Sequence, residues 1–422
     1  MTVQSERRAA NHWPGLDVIP SGPRATFSAQ VARRLFAAAV NRLDVTVHVG
    51  GDTLGRGGPA MTVVRPEEFF LRLGRHQLIG FGEAYMTGAW ETERPADLGA
   101  FLTVLAAEMP SLVPDSLQTL RSVVVKRPPR RERSSTKNSR TNIEHHYDLS
   151  NDLFELFLDR SLSYSSALFP EQLLGGAARR DDLEAAQHAK IDRLLDQAHV
   201  GEGARVLEIG SGWGELAVRA ARRGATVRTI TLSVEQKALA DRRIAAAGLS
   251  DRVSVELCDY RDVGRNGEQY DAVVSVEMIE AVGFDYWQTY FETLDAVLAP
   301  GGTIAVQAIT MPHDRMLATR NTYTWINKYI FPGGFLPSVR VIDEITHQHT
   351  GIRLVDRHPM GRHYAETLRL WDEAFRAESE RVLSLGFDEI FLRMWHFYLE
   401  YSRAGFASGY IDVNQLTFRR IV

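Results

Sequence analysis

Apolar positions change their spacing three times along the chain. Residues 1–25 are polar and interrupted by proline and glycine, which predicts a flexible arm. Residues 31–40 carry apolar side chains at helical spacing, 45–49 alternate like a strand, and 67–73 return to helical spacing. This mixture predicts a small α+β N-terminal domain over 26–125, suited to lipid binding or dimerisation. Beyond residue 140 the pattern becomes regular. Residues 205–209, 226–232, 253–257, 272–276 and 303–309 read as buried strands, and 215–223 and 234–247 as helices between them. Such alternation predicts an α/β fold with a doubly wound, mostly parallel sheet over 141–422. Ligands bind beyond the carboxyl ends of the strands in such sheets.

The segment KRPPRRERSSTKNSR (126–140) separates the two patterns, with seven basic residues against one acidic. It predicts a solvated interdomain linker. Its charge also suits anionic headgroups, where each Lys or Arg near the surface contributes about 1 kcal/mol.

Bulk composition narrows the chemistry. The 422 residues suit two domains, and 44% hydrophobic with 24% charged residues is a globular composition. A net charge of −4 offers no global field for nucleic acid. Cys258 is the single cysteine, which excludes a disulfide framework and a cysteine-rich zinc site and fits a reducing cytoplasm. The adjacent His145 and His146 have no third ligand nearby, so no metal is expected. No signal peptide is visible, and no stretch approaches the roughly 18–20 apolar residues of a membrane span. Action on lipid is therefore expected from the membrane surface, with the protein cytoplasmic and peripheral on the inner face.

The segment VLEIGSGWG (206–214) is a strand, an acid and a glycine loop. Glycines permit a sharp turn and close approach to a ligand. A dinucleotide fingerprint needs its last glycine at 215, where Glu215 stands, and that anion suits a pyrophosphate poorly. The E-x-G-x-G-x-G loop resembles motif I of class I methyltransferases, whose sheet is Rossmann-like. Asp259-Tyr260 after the third strand and Leu298-Ala299-Pro300-Gly301-Gly302 before a later one match the same class. The resemblance implies S-adenosylmethionine as cofactor.

A narrower resemblance covers residues from about 140 to the C-terminus. HHYDLSNDLFELFLDRSLSYSSALF (145–169), ITLSVEQ (230–236), DYRD (259–262) and SVEMIEAVG (275–283) occur in order. WINKYIFPGGFLPSV (325–339), HYAETL (363–368) and FYLEYSRAGFASGYIDVNQLTF (397–418) follow, and FGEAYMTGAWET (81–92) extends the match into the first domain. Together they resemble cyclopropane-fatty-acyl-phospholipid synthases, including the mycolic acid methyltransferases. The resemblance implies that Tyr164 and Ser165 cover the cofactor, that Glu208, Gly210, Gly212 and Gly214 form its loop, and that Thr231, Ser233 and Gln236 contact it from the second strand and its helix. Asp259 and Tyr260 would lie near the adenine.

Members of that family transfer a methyl group to a cis double bond of an acyl chain, so an unsaturated acyl phospholipid is the expected substrate. The alkene is a weak nucleophile, which demands close alignment and exclusion of water. A cation forms, and aromatic faces stabilise cations; Trp325, Tyr329, Phe331, Phe335 and Tyr364 are candidates to line the pocket. In the family the final base is a bound bicarbonate held by Cys, Glu, His, Ile and Tyr. Glu280, Ile309 and Tyr364 occupy three of these positions, whereas Ser166 stands at the cysteine position and Gln307 at the histidine position. Ser and Gln still supply hydrogen-bond donors for bicarbonate, but Gln cannot relay a proton as His can. The altered base site points to a longer-lived cation, a 1,2-hydride shift and a methylene-branched product. A partner reductase would then yield a methyl branch. Cyclopropanation of the same lipid is the alternative, with small-molecule methyl transfer or non-catalytic lipid binding more remote. Family members often form homodimers. The segment 320–340, mixing aromatic and basic residues, reads as an interfacial rim or as tertiary packing.

Overall fold

The computed structural model describes Trp13, residues 15–112 and residues 150–421. The basic segment 126–140 and His145-His146 lie outside the described residues. Two compact units divide the chain: one comprises Met1–Val125, Tyr323–Ile330 and Trp371–Tyr410, the other Lys126–Thr322, Phe331–Leu370 and Ile411–Val422. The sequence reading placed everything after 140 in one domain. The C-terminal helix Glu389–Ala407 departs from that because its apolar face is completed by the first unit: Phe397 lies 5.3 Å from Tyr85 and 6.4 Å from Trp90, ring to ring.

In the first unit, α1 (Pro23–Val40) precedes strands β1 (Thr46–Val49), β2 (Asp52–Leu54) and β3 (Ala60–Val63). Next come α2 (Pro66–Met86), β4 (Trp90–Thr92) and α3 (Leu98–Leu112). The four strands form a sheet in the order β2-β1-β3-β4. Helix α1 begins earlier than its apolar pattern suggests, because Pro23 sits in its first turn, where a missing N–H costs nothing. Trp325 is buried against Gly82 of α2, where a Cβ would approach its ring to 2.5 Å. Tyr329 donates its hydroxyl to Glu83 at 2.9 Å. Both aromatics therefore pack within this unit.

The second unit carries β5 (Arg205–Ile209), β6 (Thr226–Thr231), β7 (Val253–Leu257), β8 (Tyr270–Val276), β9 (Leu298–Thr310), β10 (Ile352–Pro359) and β11 (Asp412–Arg420). Their order is β10-β11-β9-β8-β5-β6-β7. Strands β7 to β9 pair in parallel, while β11 is antiparallel to both β9 and β10. Helices α4 (Leu183–Gln197), α5 (Glu215–Arg222), α6 (Val234–Ala246) and α7 (Gly361–Ala377) also belong to this part of the chain. The period of two in β5 sends Leu207 and Ile209 to one core with Trp287 and Phe291, and Val206 to the other with Leu194 and Ala217. Phe335 stacks on Trp287 in the first of these cores, so it too serves packing.

Strand order reverses at β5: the chain runs outward through β6 and β7, then returns to place β8 on the other side. This is the topological switch point, where open α/β sheets bind ligands. No helix among the described residues is long and apolar enough to cross a membrane.

Candidate active site

The loop after β5 is built for close approach. Gly210, Gly212 and Gly214 have φ of 99°, 49° and 92°, in the left-handed region that glycine adopts without penalty. The backbone N–H groups of Gly210 and Ser211 both donate to the Ile230 carbonyl at 3.0 Å, tying the loop to β6. Thr229 donates its hydroxyl to Ser211 at 2.7 Å. A Cβ on Gly210 would meet the Met278 side chain at 2.7 Å, whereas the space over Gly212 is open. Replacing Gly210 by Ala should therefore weaken S-adenosylhomocysteine binding at least about tenfold, ~1.4 kcal/mol. Calorimetric titration checks this, and an unchanged affinity would count against the loop as cofactor site.

Glu208 is buried in β5 and one carboxylate oxygen, Oε2, has no hydrogen-bond partner among the described residues. Burial pushes its pKa up to about 8, against the pull of Thr229 and Lys190. An orphaned buried acid beside an open glycine loop is a place for a cation that also donates hydrogen bonds, and the α-ammonium group of S-adenosylmethionine meets that description.

The second strand supplies a closed local set. Thr231 donates to the Gln236 side-chain oxygen at 2.8 Å, Ser233 N–H donates to Thr231 at 3.1 Å, and Gln236 N–H donates to Ser233, the N-cap of α6, at 3.2 Å. Asp259 accepts two bonds from the Arg261 guanidinium, and although burial opposes it, that partner holds its carboxyl below the ordinary value. Tyr260 packs edge-on against Tyr290 at 5.5 Å, and its buried hydroxyl has no partner.

Residues 151–169, which the family resemblance lays over the cofactor as a lid, are pinned from several sides. Trp213 of the glycine loop donates to Asn151 at 2.9 Å, and its ring lies 5.0 Å from Phe154, which in turn touches Tyr164 at 5.1 Å. Ser165 accepts from Lys190 Nζ at 2.5 Å. From α7, Thr367 accepts the Ala167 N–H at 3.1 Å and His363 the Phe169 N–H at 3.1 Å. The HYAETL motif thus fixes the height of the lid as well as supplying Tyr364.

The centre of the site is a residue to which the sequence reading gave no role. Glu277 follows β8 with φ of 52°, a conformation costing a non-glycine residue about 1–2 kcal/mol. Its Oε1 accepts from Ser166 N–H at 3.0 Å and Gln307 Nε2 at 2.8 Å, and its Oε2 from the Tyr364 hydroxyl at 2.8 Å. Gln415 orients the Gln307 amide by donating to its oxygen at 3.1 Å, which leaves Nε2 for Glu277. Desolvation raises the pKa of Glu277, opposed by Ser166, Gln307, Lys190 and Tyr364.

Three residues expected to hold bicarbonate, Ser166, Gln307 and Tyr364, therefore give their donors to a side-chain carboxylate. Ser166 does so through its backbone, since its hydroxyl donates to the Ala167 carbonyl at 3.0 Å. A separate bicarbonate does not fit this donor set, because Glu277 already satisfies it. The remaining two, Ile309 and Glu280, pair with each other: the Ile309 N–H donates to the Glu280 carboxyl. Burial first, and the neighbouring Glu277 second, push Glu280 up to about 8, so near neutral pH it is largely protonated.

Lys190 is the other residue the sequence did not reveal. It is buried in α4, and burial pulls it down to about 8 against the attraction of Glu277, Asp159 and Glu208. The only signal for Glu277 was a second acid three residues before Glu280 in a segment whose usual Cys and His partners are replaced. A lysine on an amphipathic helix gives no signal at all.

Residues 134–416 match the family described as mycolic acid cyclopropane synthetase. The chain belongs to this family. The tuberculostearic acid methyltransferase UfaA1 of Mycobacterium tuberculosis is 51% identical over 100% of this chain and 99% of its own length. The cyclopropane-fatty-acyl-phospholipid synthase of Escherichia coli K12 is 35% identical over 88% of this chain and 90% of its own. Among solved structures, the mycolic acid cyclopropane synthase CmaA1 complexed with S-adenosylhomocysteine superposes with a TM-score of 0.59 at 30% identity, covering 67% of this chain and 98% of CmaA1. The synthetase-family chain is thus an S-adenosylmethionine-dependent methyltransferase with the class I α/β fold.

Proposed function

We propose that this enzyme methylates a cis double bond in an acyl chain of membrane phospholipid and releases a methylene-branched chain, with Glu277 as the base. The observation that carries this reading is the Glu277 carboxylate in the cradle of Ser166, Gln307 and Tyr364. Relatives named for tuberculostearic acid and for phospholipid acyl chains support the lipid substrate. S-adenosylmethionine, when bound at the glycine loop, supplies an electrophilic methyl group.

The π electrons of the alkene form the new C–C bond, and the broken S–CH3 bond leaves its pair on sulfur. The adjacent carbon becomes cationic. A hydride shift from the methylated carbon moves the charge there, and loss of a methyl proton to Glu277 closes the C=CH2 bond. The sum is alkene plus sulfonium giving methylene, thioether and one proton. Both oxygens of Glu277 already accept hydrogen bonds, which damps their basicity and gives the hydride shift time before the proton leaves. Glu280, protonated beside it, adds no second negative charge. Conversion to a methyl branch needs two electrons and two protons from a separate reductase. The protein reaches its lipid from the cytoplasmic face of the membrane as a peripheral protein.

Incubation of the purified chain with dioleoyl phosphatidylglycerol should release S-adenosylhomocysteine in step with a lipid heavier by one CH2. With trideuteromethyl cofactor, the lipid should keep two of the three deuteriums, because a methyl deuteron is lost to the base. Retention of all three would show simple methyl transfer without deprotonation and contradict the scheme.

A further inference from the structure

Helix α1 carries an apolar stripe that the described residues of its unit do not cover. Phe27, Val31 and Leu35 recur at four-residue spacing and are 67%, 41% and 57% exposed. Other faces of the helix do meet α2: Phe36 lies 5.2 and 5.9 Å from Phe69 and Phe70, ring to ring, and Ser28 backs onto Gly74. Isolated exposed apolar residues need no explanation, but three in register on one helix face form a patch.

The charge of the helix identifies its occupant. The sequence PRATFSAQVARRLFAAAV contains three arginines and no acid. Helical spacing of 100° per residue places Arg34 and Arg24 beside the stripe, within one side chain's width. Neither forms an ion pair among the described residues, whereas Arg33 turns away to lie over the Phe70 ring at 5.3 Å. A second copy meeting this face across a twofold axis would oppose arginine with arginine. An anionic lipid surface satisfies both features at once, the apolar stripe entering the acyl boundary and the guanidinium groups meeting phosphate.

We infer that α1 docks on anionic membrane through Phe27, Val31 and Leu35, with Arg24 and Arg34 holding lipid phosphates. This rests on the lipid substrate proposed above and assigns the surface that meets it.

The test uses the full chain, vesicles of equimolar phosphatidylglycerol and phosphatidylcholine, and the same lipids in detergent micelles. The triple variant Phe27→Ser, Val31→Ser, Leu35→Ser should lower vesicle partitioning about tenfold or more. It should lower turnover on vesicles in parallel and leave micellar turnover unchanged. The double variant Arg24→Gln, Arg34→Gln should lose binding to anionic vesicles, mimicking wild type in high salt. Wild-type partitioning by both variants would overturn the assignment. So would a triple variant that sediments as a smaller species without lipid, which would give the face to a second copy. If the triple variant fails in micelles as well, the arginine pair alone decides. Vesicle binding that needs α1, with no turnover of micellar lipid by wild type, would instead sink the proposed chemistry and leave the docking surface standing.

Discussion

Replacing Glu277 by Gln is expected to reduce kcat by about three orders of magnitude while S-adenosylhomocysteine affinity stays within about threefold. A positioned general base contributes about 10²–10⁴ in rate, and the amide cannot accept the proton. The amide nearly matches the carboxylate in shape, so the loop after β8 keeps its form: its single oxygen can keep the Ser166 and Gln307 donors, and its NH2 then faces the Tyr364 hydroxyl, which can turn to accept. Loss of rate without loss of cofactor affinity separates a base from a structural residue. Glu277→Gly gives the complementary result. It relieves the left-handed backbone and frees the Ser166, Gln307 and Tyr364 donors for an external anion. Added bicarbonate should then restore part of the rate, measured as S-adenosylhomocysteine release, whereas it should do nothing for the wild type.

The second large effect is expected from Lys190→Met. Lys190 is the buried cation facing Glu277, Glu208 and Asp159, and it donates to Ser165 at 2.5 Å. With a pKa of about 8 it is charged at neutral pH and favours the ionised form of Glu277, which burial disfavours. Removing the charge raises Glu277 further, so the ascending limb of kcat against pH should move to higher pH. Each unit of that movement lowers the ionised fraction, and with it kcat below the limb, about tenfold. The sign for Lys190 itself is opposite: its charge is present below about 8 and lost above, so the wild-type profile should fall there and the variant's should not. A uniform loss of rate with an unmoved profile would reduce Lys190 to a packing residue.

The parts of this enzyme that were legible in its sequence are those fixed by local rules. Strand β7 coincides with its apolar run, and β5 with the glycine loop follows from residues 206–214 alone, because alternation and glycine spacing act within a few residues. Family motifs then brought Ser166, Gln307 and Tyr364 to one place. What was not legible depends on tertiary surroundings. Trp325 and Tyr329 read as pocket or membrane-rim aromatics, but a space left by Gly82 and an acid at Glu83 draw them into the first unit. Lys190 looks like any helix lysine until burial in α4 places it under the lid. The residues read as the base site do come together, and a carboxylate of the chain itself stands among them. Sequence showed that the Cys and His of the family pattern are absent, but not that Glu277, through a strained turn after β8, puts its own carboxylate where an anion was expected.

That substitution of an internal carboxylate for a bound anion is the centre of the account, and one measurement reaches it directly. Wild-type enzyme is run on dioleoyl phosphatidylglycerol in buffer stripped of bicarbonate, and the lipid product is then subjected to mild hydrogenation and weighed by mass spectrometry. The account predicts full turnover and a product in which each methylated chain takes up one molecule of hydrogen, as a methylene branch does. Turnover that depends on bicarbonate, with a product that resists hydrogenation as a cyclopropane does, would contradict it.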